Sequence, residues 1–396
     1  MSRTTTHKLS EVNSPQLIKE FLDFPARLYK SEPHWIRPLD EDVEAVFDPK
    51  KNKLFRQGAA IRWILKDDKD IAVGRVAAFY NAKTAKSNDQ PTGGLGFFDC
   101  IDDKDAAAML FDAAKKWNES QGMEAMDGPV NFGDRDSFWG CLVDGFYEPL
   151  YNMPYNFPYY KNLFEAYEFQ EYFQQFTYHR TFKAGGVEEV VKQKAERIFG
   201  NPDYSFKTMN WKSSEKFAED FMVIFNKGWA RFPGVKAISK AHAIGLLKQM
   251  KPIMDTQLVI FTYHKNDPIA FFIMMPDISQ ITRKFNGNFN WFNKLRFMFD
   301  LKVRKSCTRV IGRIFGIVPE FQSKGIEAGM IMEFAKNAFK PSFPYTDLEM
   351  NWIGDFNPSM MKMVEQIGGK VRKTHLTFRY LFDRSKPFVR AKRVNV

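Results

Sequence analysis

The chain has few of the features that would mark it as a metal, redox or membrane-spanning protein. Its cysteines, Cys100, Cys141 and Cys307, are scattered and odd in number. Such usage fits a reducing compartment and offers no metal motif. None of the six histidines has metal-ligand spacing, so no metal is expected. No apolar run reaches the length of about 18 residues that a membrane span needs. Residues 1–9 lack an apolar signal segment, so the expected location is the cytoplasm. Nucleophile elbow, Walker loop and dinucleotide fingerprint are all missing.

What is present is apolar mass and positive charge. The chain has 396 residues, of which 44% are hydrophobic and 40 are phenylalanine, enough to fill two cores. Its formal charge of +11 suits a polyanionic partner: nucleic acid, an anionic membrane surface or a small ligand with several phosphates.

Periodicity and turn residues predict two similar halves. Ser14-Pro15 opens a first helix, and strands 59–65 and 71–79 form a hairpin around residues 67–70. A strand (93–101), a helix (105–121), a loop-rich stretch (128–144), a short helix near 160 and a strand (171–182) follow. The second half has helices at 214–229 and 238–248 and a hairpin of 257–263 with 268–275. Then come a strand ending at Val318, a helix, a strand (346–352), a helix (357–366) and a strand (374–382). The stretches that begin at Asn156 and Asn357 fall at equivalent points about 200 residues apart. The expected fold class is therefore α/β with a mixed sheet, in two tandem domains, 1–182 and 183–396, joined near residues 183–186.

The junction after the apolar strand 310–318 is the most informative stretch. It reads Val318-Pro319-Glu320-Phe321-Gln322-Ser323-Lys324-Gly325-Ile326-Glu327. A strand that passes through a short glycine-containing loop into a helix presents unpaired first-turn amides and the positive end of the helix dipole to an anion. Gly325 lets a phosphate approach the backbone.

This junction resembles motif A of the GNAT superfamily of N-acetyltransferases, in which the pattern is Arg or Gln, two residues, Gly, one residue, then Gly or Ala. Gln322 and Gly325 match; Glu327 departs from the last position. The stretches 348–357 and 368–374 further resemble an uncharacterised bacterial acetyltransferase-like family, in which an acid after Gly-Ile is usual. The resemblance implies two acyl-CoA N-acyltransferase-like domains with a sheet splayed between central strands. It implies acetyl-CoA or another acyl-CoA as co-substrate, held by Val318, Gln322, Ser323, Lys324, Gly325, Ile326 and Asn357. It also places Glu349 near where the family's base can sit. Val364 stands where the family's motif B carries a tyrosine, so the usual general acid is missing.

The first half has no matching loop. Asp102-Asp103-Lys104-Asp105 stands there, and its acids repel a pyrophosphate. Residues 128–134 read as a cleft-lining loop whose Asn131 and Asp134, with Arg135 behind them, are placed to meet an acceptor. The expected acceptor is a small-molecule or peptide amine. Two alternatives stay open: an aminoacyl-tRNA-dependent transferase and a non-catalytic binding or scaffold protein. The insertion 286–304 carries Trp291, Leu295, Met298, Phe299 and Val303 at helical spacing, interleaved with Lys294, Arg296, Lys302 and Arg304. The default expectation is a helix that packs on the domain and solvates its outer face; a membrane-surface helix and a lid are the alternatives.

Overall fold

Thirteen strands of the computed structural model form one sheet. The structure describes residues 7–86, 90–133, 135–182, 187–228 and 236–392, so the expected joint at 183–186 and Asp134 lie outside the described residues. In chain order the first-half strands are β1 (Lys8–Glu11), β2 (Gly58–Lys66), β3 (Ala72–Asn81), β4 (Thr92–Cys100), β5 (Ala125–Gly128), β6 (Cys141–Asp144) and β7 (Gln170–Thr181). Those of the second half are β8 (Tyr204–Thr208), β9 (Val259–His264), β10 (Asp267–Pro276), β11 (Arg309–Ile317), β12 (Asp347–Gly354) and β13 (Lys370–Leu381). The spatial order is β1-β2-β3-β4-β5-β13-β7-β12-β11-β10-β9-β8, with β6 on β13.

That order is a palindrome. Each half contributes an outer strand, an antiparallel hairpin, a fourth strand and a parallel fifth strand. Each half then lends its last strand to the other. β13 lies beside β5 (Phe378↔Gly128), and β7 lies beside β12 (Glu349↔His179). The loans are anchored by core residues. Phe378 stacks on Phe164 of the first half at 5.0 Å, and Tyr178 joins the second-half core. Burying an aromatic side chain of this size contributes about 1.5–3 kcal/mol. The strand exchange makes one continuous sheet of the two halves.

Local chemistry explains the helix starts and the strand ends. Ser14 Oγ accepts from Leu17 N–H, and Pro15 fills the first turn of helix Pro15–Leu28. Asp103, one of the acids expected to repel phosphate, caps helix Lys104–Ser120 by accepting from the amides of Asp105 and Ala106. In both halves the fourth and fifth strands pair only over a short register and then diverge. β11 and β12 pair from Arg309↔Asp347 to Gly312↔Met350, although β11 continues to Ile317. A bulge in β12 between Met350 and Ile353, with Trp352 at φ +67°, widens that divergence.

The two wedges differ in what fills them. In the first half, Val130 N–H donates to Leu95 C=O at 2.8 Å. A Cβ placed on Gly96 would lie only 1.8 Å from the Val130 carbonyl. Residues 129–131 thus rest on β4 and close the first wedge. The second wedge stays open.

A buried ionic cluster holds the exchange. Glu349 on β12 is fully buried. Lys373 Nζ on β13 lies 2.6 Å from it, Arg372 Nε 3.5 Å and Arg309 Nη1 3.8 Å. Arg309 also meets Asp277 at 2.6 Å and Glu148 at 3.2 Å, so the cluster ties both halves. Burial pulls the Lys373 ammonium below its usual pKa, and Glu349 opposes that pull. Glu349→Ala leaves Lys373 buried without its counter-ion and is expected to destabilise the fold by about 3–5 kcal/mol. Urea unfolding measures this; a loss under 1 kcal/mol, roughly a surface pair's worth, would show that the cluster does not hold the seam.

His375 on β13 is buried, and its ring contacts the Pro154 carbonyl at 3.4 Å. Burial lowers its pKa from 6.5 to about 4. The unfolded chain then binds more protons than the folded one between those values. Stability is fully present above pH 6.5 and falls as the pH drops toward 4, by about 3 kcal/mol in total from this group. Denaturation midpoints of wild type and His375→Asn across that window check this; parallel curves would assign the acid loss to other groups.

Candidate functional site

The open wedge leads into a cleft of about 2520 Å³ shared by both halves. Its floor runs from β11 and β12 across Tyr172 and Phe173 of β7 to Asp127 of β5. One wall is the loop into helix Ile326–Ala338, and the opposite wall comes from residues 51–57 and 130–139.

The loop is built to stay open. β11 ends at Ile317, and residues 319–321 make one 3-10 turn. The Gln322 side chain donates to the Ile317 carbonyl at 3.2 Å, pinning the turn to the strand end. Ser323 (φ +60°) and Gly325 (φ +84°) take left-handed conformations. Among the described residues, the amides of Ser323, Lys324, Gly325, Ile326 and Glu327 have no protein acceptor. Glu327 lines the cleft, and among the described residues no side chain caps the start of this helix. Lys194 and Ile198 of helix Glu189–Phe199 flank Gly325.

Charge in the cleft is strongly one-sided. Eleven lysines and arginines line it against three carboxylates, Asp127, Asp136 and Glu327. Two of those acids are already held: Arg379 grips Asp127 at 2.6 and 2.9 Å, and Arg313 of β11 meets Asp136 at 2.5 Å. A site with this balance attracts a polyanion. Lys194, Arg197 and Lys324 lie around the loop itself.

The residues expected from the sequence divide into three groups. Gln322, Ser323, Lys324, Gly325, Asn357, Asn131 and Arg135 all line this cleft, so segments far apart in sequence converge. Val318 and Ile326 are buried behind the loop and support it. Asn357 caps helix Pro358–Gln366 through Met360 N–H at 3.2 Å. Glu349 is the correction. It does not line the cleft: on its regularly paired stretch of β12 it faces Lys373, Arg372 and Arg309 and is buried with them in the cluster described above. Val364 is buried, and no tyrosine replaces it on that helix.

Sequence reasoning missed three features. Among the described residues Trp352 Nε1 is buried without a partner, and so is Oδ1 of Asn131, a residue only 6% exposed on the opposite wall. Both residues line the cleft. Arg135 lies over the rings of Trp139 and Trp352, at 5.5 and 5.9 Å. Asp136 reaches β11 through Arg313. An arginine in an otherwise apolar strand was the one sequence signal for that last contact. Among the described residues no group of histidine, cysteine and acidic side chains is arranged to hold a metal.

No protein-family model matches the chain. It is similar to Protein YghO of Escherichia coli (strain K12), 26% identical over 383 residues, covering 90% of this chain and 91% of that protein. It is similar to the bacterial ceramide synthase of Caulobacter vibrioides (strain NA1000 / CB15N), 24% identical over 379 residues, covering 93% and 95%. Among solved structures, a tandem GNAT protein from the clavulanic acid biosynthesis pathway superposes with a TM-score of 0.53 at 9% identity, over 96% of this chain and all of that one. The glucosamine N-acetyltransferase region of a fungal multi-domain GH3 beta-N-acetylglucosaminidase gives 0.55 at 10% identity, over 95% of this chain. This chain spans only 38% of that protein's length. The chain has the tandem GNAT fold.

Proposed function

We propose that this tandem GNAT-fold protein transfers an acyl group from an acyl-CoA to an amine, and that the acceptor is a long-chain amine. The observation that carries the first part is the run of uncommitted amides from Ser323 to Glu327 at the mouth of the only open wedge among the described residues. They suit a diphosphate, with Lys194, Arg197 and Lys324 supplying counter-charge. The acyl-pantetheine arm then follows β11 beyond Gly312, where the strand has lost its parallel partner.

The second part rests on size, lining and kinship. Small-molecule sites occupy about 300–1,000 Å³, and this cleft, at about 2520 Å³, has room for two long chains. Phe132, Phe272, Phe315, Trp352 and Phe356 give it apolar stretches. The relative named a ceramide synthase supports an amide-forming reaction on a lipid amine. Asn131 Oδ1 and Trp352 Nε1, unpaired among the described residues, are the acceptor and donor that would orient the polar head of such an amine.

In the reaction the amine nitrogen attacks the thioester carbonyl carbon. The C–N bond forms, the C–S bond breaks, and the sulfur leaves as a thiolate that takes a proton from water. The nitrogen must shed a proton, and Asp136 is the carboxylate beside the open end of β11. Glu349 serves as a buried counter-ion.

Two measurements test this reading. In Gly325→Val the new side chain fits, since a Cβ would meet only Ile198 and Lys194 at 3.6 Å or more. The β-branched residue at φ +84° costs about 1–2 kcal/mol and reshapes the loop. Calorimetric affinity for a long-chain acyl-CoA is expected to drop at least about tenfold, roughly 1.4 kcal/mol; unchanged affinity would refute the loop as the donor site. Asp136→Asn is expected to lower the turnover number by about 10²–10⁴ with donor binding intact. Turnover within a factor of about two of wild type would remove Asp136 from the proton path.

A further inference from the structure

Helix Trp291–Lys302 has two apolar faces, and only one is covered. Phe297 and Leu301 are buried in the second-half core, beside Asp300, which Lys284 and Arg304 hold at 3.2 and 3.3 Å. The other face consists of Trp291 (73% exposed), Phe292, Leu295 and Phe299, with Val303 (66% exposed) just past the helix end. At about 100° per residue these five fall within an arc of about 120°. The stripe expected to pack on the domain is thus the one that faces out, because Phe297 and Leu301 are the residues that dock.

We propose that this face lies on an anionic phospholipid bilayer, with the helix in the plane of the headgroups. Large aromatic and aliphatic side chains on one side with basic residues at the edges are what an interfacial helix needs. Arg296 borders the face and Lys305 follows the helix end; neither has a carboxylate partner among the described residues. Lys302 reaches only the Met254 carbonyl, at 3.5 Å. The chain's formal charge of +11 adds a long-range attraction to the same surface. A second copy of the chain is a poorer occupant. A twofold contact through this face would set its own uncompensated cations against each other. The proposal stands apart from the donor-site reading, and its readout does not involve acyl transfer.

Sedimentation of the full-length protein with vesicles tests it. One set is phosphatidylcholine alone and the other contains phosphatidylglycerol as well. Wild type is expected to partition at least about tenfold more strongly onto the mixed vesicles, with the excess removed by salt. The triple variant Trp291→Ser, Leu295→Ser, Phe299→Ser is expected to lose that binding at an unchanged melting temperature, since these side chains already face water. Arg296→Glu with Lys305→Glu is expected to lose the preference for the anionic vesicles. Failure of wild type to sediment with mixed vesicles would overturn the proposal. So would equal binding by the triple variant, or a wild-type dimer that the triple variant dissolves.

Discussion

A carboxylate shut off from water, Glu349, sits where the two halves trade strands, and the arrangement of the molecule depends on that trade. Its nearest cations, Lys373 and Arg372, come from the borrowed strand β13, and Arg309 comes from β11 beside it. Charges buried this deeply are tolerated only when they meet each other. The cluster therefore specifies which strand lies next to which. With β13 and β7 crossed between the halves, the divergent ends of both sheets belong to one continuous surface, and a single cleft reaches from Asn131 to Gly325.

Within that shared frame the halves have separated in chemistry. Both keep the same strand order and both diverge between their fourth and fifth strands. The first half fills its wedge with its own backbone at Val130, held on Leu95 and fitted against Gly96. Its acids are absorbed by structure: Asp103 caps a helix, and Asp99 accepts from Tyr29 and Arg75 at 2.8 and 2.7 Å. The second half leaves its loop amides uncommitted and surrounds them with lysine and arginine. A filled wedge beside an open one makes the first half a wall for the second, which suits a reaction that brings two long molecules together.

The outward apolar face of the insertion helix and the large cleft share a physical theme. Each leaves apolar surface accessible with basic groups alongside, at a cost in solvation that packing within the chain does not offset.

Much of this could be read from residues alone, and the boundary of what could not is physical. Hairpins, the capped first helix, the glycine turn at Gly325 and the repeated element order follow from local rules, so sequence by itself determined the strand-loop-helix that makes the anion loop and the near-equivalence of the halves. The short strand β6 was lost within the loop-rich stretch 128–144, and β5 just before it went unread, because four residues carry no period. Glu349 was misdirected because alternation gives a face of the strand and not what covers it, and cations from β13 and β11 bury that face. The insertion helix has apolar residues all round, and periodicity cannot say which side docks; Phe297 and Leu301 won by contact with a core assembled from distant segments. Strand exchange, the pairing of Asp136 with Arg313 and the convergence of Asn131 and Trp352 on one cleft were decided only by tertiary structure. Each joins positions more than a hundred residues apart, and no local preference of the chain encodes a partner at that distance.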